Sequence, residues 1–228
     1  LMLGLKNVLR GSVLALSVAA LVGCSNSSST ANHSLGEFNA ATVGATCTAV
    51  DSVGAQISGT TESNGMVSVV SSLTEGLVTM TCTGGTYTDE ATGTITNAPT
   101  LRAATNYTGG SLTLIASPLS EVAYALATAA GDTANMATYN AKVATAFNLA
   151  GVDIVGTVPQ DLNEGPVDTS DAGKIGLVIA AIAQIGSDAE IEPTTAIGRL
   201  TTDISPDDAL DAGTLSTAID NLQASGAG

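Results

Sequence analysis

Within Leu77-Val78-Thr79-Met80-Thr81-Cys82-Thr83, apolar and polar side chains alternate from Val78 to Thr83. At a period of two, Val78, Met80 and Cys82 share one face and Thr79, Thr81 and Thr83 the other. That is the pattern of a strand with one side on a core. Upstream, Ala45-Thr46-Cys47-Thr48-Ala49-Val50 repeats it, with Cys47 on the face of Ala45 and Ala49. Met66-Val67-Ser68-Val69-Val70 and Ser111-Leu112-Thr113-Leu114-Ile115 are further candidate strands, and Gly54, Gly59, Asn64-Gly65, Gly76, Gly84-Gly85, Gly93 and Gly109-Gly110 mark the turns. Short strands at this spacing predict an antiparallel β-sandwich over residues 43–116.

Downstream the period lengthens. Ser117-Pro118 is an N-cap followed by Pro at the first helical position. Leu119, Val122, Ala123, Leu126, Ala127 and Ala130 then trace one helical face that Gly131 closes. A second helix is expected over residues 134–150, with Met136, Tyr139, Val143 and Phe147 on its stripe. A third, over 171–185, is apolar nearly all round and too short for a bilayer, so it reads as a central buried helix. Shorter amphipathic pieces follow at 194–204 and 206–222, with Ser205-Pro206 as another cap. The predicted fold class is α+β: the sandwich, then a small C-terminal helical bundle over 117–228.

Upstream of the strands, Lys6 and Arg10 precede an apolar run from Val13 to Val22, too short to span a membrane. The run ends in Leu21-Val22-Gly23-Cys24, which resembles the lipobox of bacterial lipoproteins. The resemblance implies that residues 1–23 are a signal peptide and that Cys24 receives lipid, palmitate included. It also implies that Ser25, not being Asp, sends the chain to the outer membrane, facing the periplasm or the cell exterior. Residues 24–42 are rich in Ser, Asn, Thr and Ala without periodicity and read as a flexible tether, with His33 a solvated residue inside it. An exported chain meets an oxidising compartment, so a Cys47–Cys82 disulfide is the first expectation for two inward-facing cysteines, and a pair of buried thiols the alternative.

Two looser resemblances extend this reading. Gly59-Thr60-Thr61 with Asn64-Gly65-Met66-Val67-Ser68-Val69 is similar to the carboxypeptidase-regulatory-like, prealbumin-type sandwich, which implies an accessory, non-catalytic role. The order Gly84-Gly85-Thr86-Tyr87-Thr88-Asp89, then Ser117-Pro118-Leu119-Ser120, resembles an arrangement in Gram-negative surface and adhesin-like lipoproteins.

Charge and composition bound the chemistry. Without residues 1–23 the chain has 4 bases against 21 acids, a formal charge of −17. No nucleic-acid partner is expected from such a balance. The sole His lies in the expected tether, and with no Trp the sequence lacks the aromatic platforms that sugar-cleaving enzymes use. An enzyme is therefore not expected. The carboxylates suit a hard cation better. Asp203, Asp207, Asp208 and Asp211 lie close together, with Asp153, Asp161 and the Asp89-Glu90 pair elsewhere. An EF-hand is excluded, because its Gly position is Asp208 and its closing Glu is Thr214. Either these acids begin helices at a solvated surface, or they hold Ca²⁺, the one candidate cofactor. The expected function is a lipid-anchored structural or adhesive surface module, with the membrane and other surface proteins as partners. The alternative is a surface or periplasmic lipoprotein that binds a small ligand or Ca²⁺ between its two parts.

Overall fold

The computed structural model describes residues 29–204, 210 and 213–225. The chain is α+β. Its strands are β1 (Ser29–Glu37), β2 (Thr46–Val50), β3 (Gln56–Thr60), β4 (Met66–Leu73), β5 (Gly76–Thr83), β6 (Thr86–Thr88), β7 (Ile95–Asn97), β8 (Leu101–Tyr107) and β9 (Thr113–Ala116). The helices are α1 (Pro118–Ala129), α2 (Met136–Ala146), α3 (Asp171–Asp188), α4 (Pro193–Ile204) and α5 (Thr214–Ser225). The expected 206–222 helix lies partly outside the described residues, as does its Ser205-Pro206 cap.

Two sheets form a sandwich, ordered β3-β2-β5-β8 and β4-β1-β9, and β6-β7 is a separate hairpin. In β5, Val78, Met80 and Cys82 are buried while Thr81 and Thr83 are exposed, as the alternation requires. Cys47 of β2 stands directly opposite Cys82 of β5 in the antiparallel register, and the two are joined by a disulfide.

The tether reading of residues 29–42 is corrected. β1 occupies most of that stretch and is the middle strand of its sheet, antiparallel to β4 from Ser29↔Leu73 to Gly36↔Met66. On its other side it runs parallel to β9, from Ser34↔Thr113 to Glu37↔Ala116, so the sandwich is not wholly antiparallel. His33 is fully buried and not solvated. Its Nδ1 accepts the Leu112 N–H at 3.2 Å and its Nε2–H donates to the Ser71 carbonyl at 3.2 Å. Those two partners fix the tautomer. The ring also meets Tyr107 edge-on, with centroids 5.9 Å apart.

Helices α1 and α2 cover the free edge of β8. The Glu121 carboxylate accepts the Arg102 backbone N–H at 2.8 Å and also pairs with the Arg102 guanidinium. The Ser120 hydroxyl donates to Arg102 O at 2.7 Å, and Asn140 Nδ2 donates to Ala104 O at 3.1 Å. Ser117 and Ser120 cap α1 reciprocally, as the Ser-Pro signal anticipates. One apolar cluster runs from Leu35 and Met80 in the sheets through Val122 and Phe147 to Ile179 and Leu200 in the helices.

His33→Ala leaves the Leu112 N–H and the Ser71 carbonyl without partners in a dry interior. Each such loss costs about 1–3 kcal/mol, so stability should fall by about 2–6 kcal/mol, read as a lower urea midpoint at unchanged slope. A neutral result would return β1 to the status of a tether. Cys47→Ala opens a cross-link between residues 35 apart in sequence. The chain-entropy model puts that loss at about 3–4 kcal/mol, and reducing the wild type should lower the midpoint comparably.

Candidate functional site

The β6–β7 hairpin, the residues just after β1 and the α3–α4 corner enclose a cleft of about 180 Å³. Asn39, Tyr87, Asp89, Thr92, Thr94 and Thr96 form its polar wall. Ile179, Ile182, Ala183, Ile191 and Ile197, with Pro118 and Pro193, form the apolar one. Among the described residues, no Lys, Arg or His lines it.

Local chemistry sets both walls. Gly85, at φ +80, turns the chain from β5 into the hairpin, and a Cβ there would meet Ala45 N at 2.6 Å and Val43 O at 2.7 Å. Only Gly satisfies both demands. The hairpin tip is tied by Asp89, whose Oδ1 accepts the N–H groups of Ala91 and Thr92 and the Thr92 hydroxyl, all within 3.0 Å. On the other side α3 ends where the Ile191 N–H returns to Gly186 O, and α4 leaves at a bend of 107°. Among the described residues no single helix is long and apolar enough to cross a membrane.

Behind the polar wall lie two buried acids. Glu37 is fully buried at the end of β1; among the described residues Oε1 has only Asn39 Nδ2 at 3.5 Å, and Oε2 has no hydrogen-bond partner. Burial pushes its pKa up to about 8, against a small opposing effect of Asn39. Glu90 accepts the Leu162 N–H at 2.9 Å through Oε1, while Oε2 is likewise unpartnered. Burial pushes it up to about 8 as well; the Leu162 bond opposes this and the charges of Asp161 and Asp89 add to it. The Tyr87 phenol is raised by burial first, then by the charges of Asp89, Glu192, Glu90 and Glu37. At neutral pH both glutamates are therefore largely protonated.

A Glu37 carboxylate oxygen lies within 4.8 Å of both Cys47 Sγ and Cys82 Sγ. Three such atoms resemble a metal triad in spacing. With the sulfurs bonded to each other, however, they offer no thiolate to a metal.

Of the residues singled out from sequence, Cys24, Asp207, Asp208 and Asp211 lie outside the described residues. Asp203 is exposed on α4, one turn from Arg199. Asp153 accepts the Val155 and Gly156 N–H groups, and Asp161 accepts those of Asn163 and Ala41. These two, like Asp89, cap turns. Glu37, Asn39 and the depth of Tyr87 escape a sequence reading, because a lone acid in a Ser- and Asn-rich stretch carries no periodic signal. Comparisons with protein-family models, with curated proteins and with solved structures find no match for this chain.

The two acids make stability depend on pH in a definite direction. Each has a folded-state pKa near 8 against an ordinary value of 4.5. Between those limits the folded state binds more protons than the unfolded chain, so stability falls as pH rises. The urea midpoint should therefore drop from pH 5 to pH 8.5. Glu37→Gln and Glu90→Gln, which keep the neutral shape, should each flatten that slope. An unchanged slope in both variants would show that the acids are ionised in the fold.

Proposed function

We propose that this chain is an exported, lipid-anchored, non-catalytic binding module. On this reading Cys24 carries the lipid, and the cleft at the α3–α4 corner holds a small molecule with an apolar body and a cationic or neutral hydrogen-bonding end. The observation that carries it is the asymmetry of the cleft: isoleucines on one wall, hydroxyls, an amide and the Asp89 carboxylate on the other, and among the described residues no basic side chain between them. An anion would meet Asp89 with nothing to pair it, on a molecule whose acids outnumber its bases fivefold after residues 1–23 are removed.

Size narrows the class further. Drug-sized ligands occupy pockets of roughly 300 Å³ and above, so about 180 Å³ fits a short aliphatic amine or the end of a larger amphiphile. An ammonium group at the polar wall would favour ionised over protonated glutamates, so binding should release protons and tighten as pH rises.

The structural or adhesive role anticipated from the sequence remains the rival reading. The exposed apolar side chains Val70 and Ile95 are its best support. Scattered singly, such residues are normal on a soluble surface.

The deciding experiment compares n-butylammonium, n-butanol and butyrate by melting temperature at matched ionic strength, using wild type and Ala183→Phe, which fills the cleft from its apolar wall. Butylammonium should stabilise the wild type, with a dissociation constant of about 1 mM, equivalent to about −4 kcal/mol. Butyrate should not, and Ala183→Phe should lose the response. Equal responses to all three compounds, or none to any, would overturn the ligand reading and favour the adhesive one.

A further inference from the structure

The position of β1 constrains how an anchored molecule sits on its membrane. Only four residues, Ser25 to Ser28, separate Cys24 from Ser29, the first residue of β1. Fully extended, the five steps from Cys24 to Ser29 reach at most about 17 Å. An anchor on Cys24 therefore holds the Ser29 end of the sandwich close to the lipid.

That end is a defined surface. Ser29 lies opposite Leu73, next to the turn that carries Thr74 and Glu75. The β2–β3 turn packs against it: the Ser52 hydroxyl donates to Glu75 O at 2.8 Å, and the Asp51 carboxylate accepts the Thr74 N–H at 2.8 Å. The β8–β9 turn closes the group, since a Cβ on Gly109 would lie 3.0 Å from Glu75 Oε1. Asp51 is buried and also accepts the Val53 and Ala55 N–H groups. Burial alone would raise its pKa, but the bonds from Thr74, Ala55 and Val53 hold it below the ordinary value. The rim thus presents Glu75 as its exposed charge, and Val53, 65 % exposed, as its apolar tip.

We propose that this rim rests on the lipid surface, with Val53 at the headgroup layer and the cleft turned away from the membrane. The proposal rests on the reading of Cys24 as the lipid-bearing residue. The partner is a lipid surface of low charge, because the rim has no base to attract anionic headgroups and the tether supplies the proximity. β1 runs from the rim to Glu37, and Asn39 just beyond it lines the cleft. Its eight steps at about 3.3 Å each put the cleft end of the strand about 26 Å farther out. A ligand would then reach the cleft from the aqueous side.

The chain contains no Trp, so single introduced tryptophans report position without background. Val53→Trp and Thr108→Trp sit on the rim, and Ile95→Trp on the distal hairpin; all three positions are exposed. The mature protein, purified from its membrane, is reconstituted into phosphatidylcholine vesicles with acyl chains brominated near the headgroup. Intact mass shows first whether Cys24 carries lipid. Quenching should be several-fold stronger for both rim tryptophans than for Ile95→Trp, and Cys24→Ser should abolish it. Lipid on Cys24 with equal quenching at rim and hairpin would overturn the orientation alone. A mature protein without lipid would overturn the anchoring reading, and this inference with it.

Discussion

The four-residue parallel ladder between β1 and β9 is the constraint on which the rest of the structure depends. Parallel neighbours cannot be joined by a tight turn, so everything from Phe38 to Leu112 is a crossover between them. That crossover contains the whole four-stranded sheet and the β6–β7 hairpin. β9 leads straight into the Ser117 cap of α1, and the Phe38 N–H extends the ladder to Ala116 O. One short set of backbone bonds thus sets the first strand, the start of the helical part and the closure of the sandwich together. Its position also decides where polar groups are buried. With β4 on one side and β9 on the other, the inward residues of β1 enter the interior whatever their chemistry.

Those inward residues explain the most unusual chemistry in the protein. Along β1, His33, Leu35 and Glu37 all point inward, and only Leu35 is apolar. His33 meets the demand with a bond on each ring nitrogen. Glu37 has one long bond, a disulfide as its neighbour and an empty second oxygen, so taking up a proton is its cheapest way to stay buried. Glu90 reaches the same state from the hairpin side. Neither acid lines the cleft, but both stand beside residues that do: Glu37 is bonded to Asn39, and Glu90 follows Asp89. The two protonated acids can donate as well as accept, and they ionise when a cation makes that favourable.

Much of the fold was legible because much of it follows simple periods. β5 alternates from Val78 to Thr83, Cys47 and Cys82 sit in phase on their strands, and the Ser-Pro cap opens α1 where expected. The apolar run of α3 was read as a buried helix, and it spans Asp171–Asp188. β1 was not legible, for a physical reason. A pattern search looks for apolar residues at inward positions, and here two of the three are His and Glu, set among Ser, Thr and Asn. Parallel pairing across almost eighty residues leaves no turn signal either. The cleft was invisible for the same reason: its walls come from the end of β1, a hairpin and a helix corner that only tertiary packing brings together. The acids flagged from sequence at Asp89, Asp153 and Asp161 accept backbone N–H groups at turns, a use that composition cannot separate from cation binding.

The helices are also less separable from the sheets than the change of texture at Ser117 suggests. β8 is an edge strand, and a bare edge exposes unpaired N–H and C=O groups that invite another strand. Here those groups are met by Glu121 and Ser120 of α1 and Asn140 of α2, so removing the helices would leave a bare edge and an exposed half-core. Covering the edge fixes α1 against β8, and α1 in turn packs against both α3 and α4. The isoleucine wall of the cleft is the outward consequence of that packing. Its polar wall follows from the hairpin that leaves β5. The cleft therefore forms where two solutions to unrelated problems meet: capping an open sheet edge, and burying the acid at the end of a central strand.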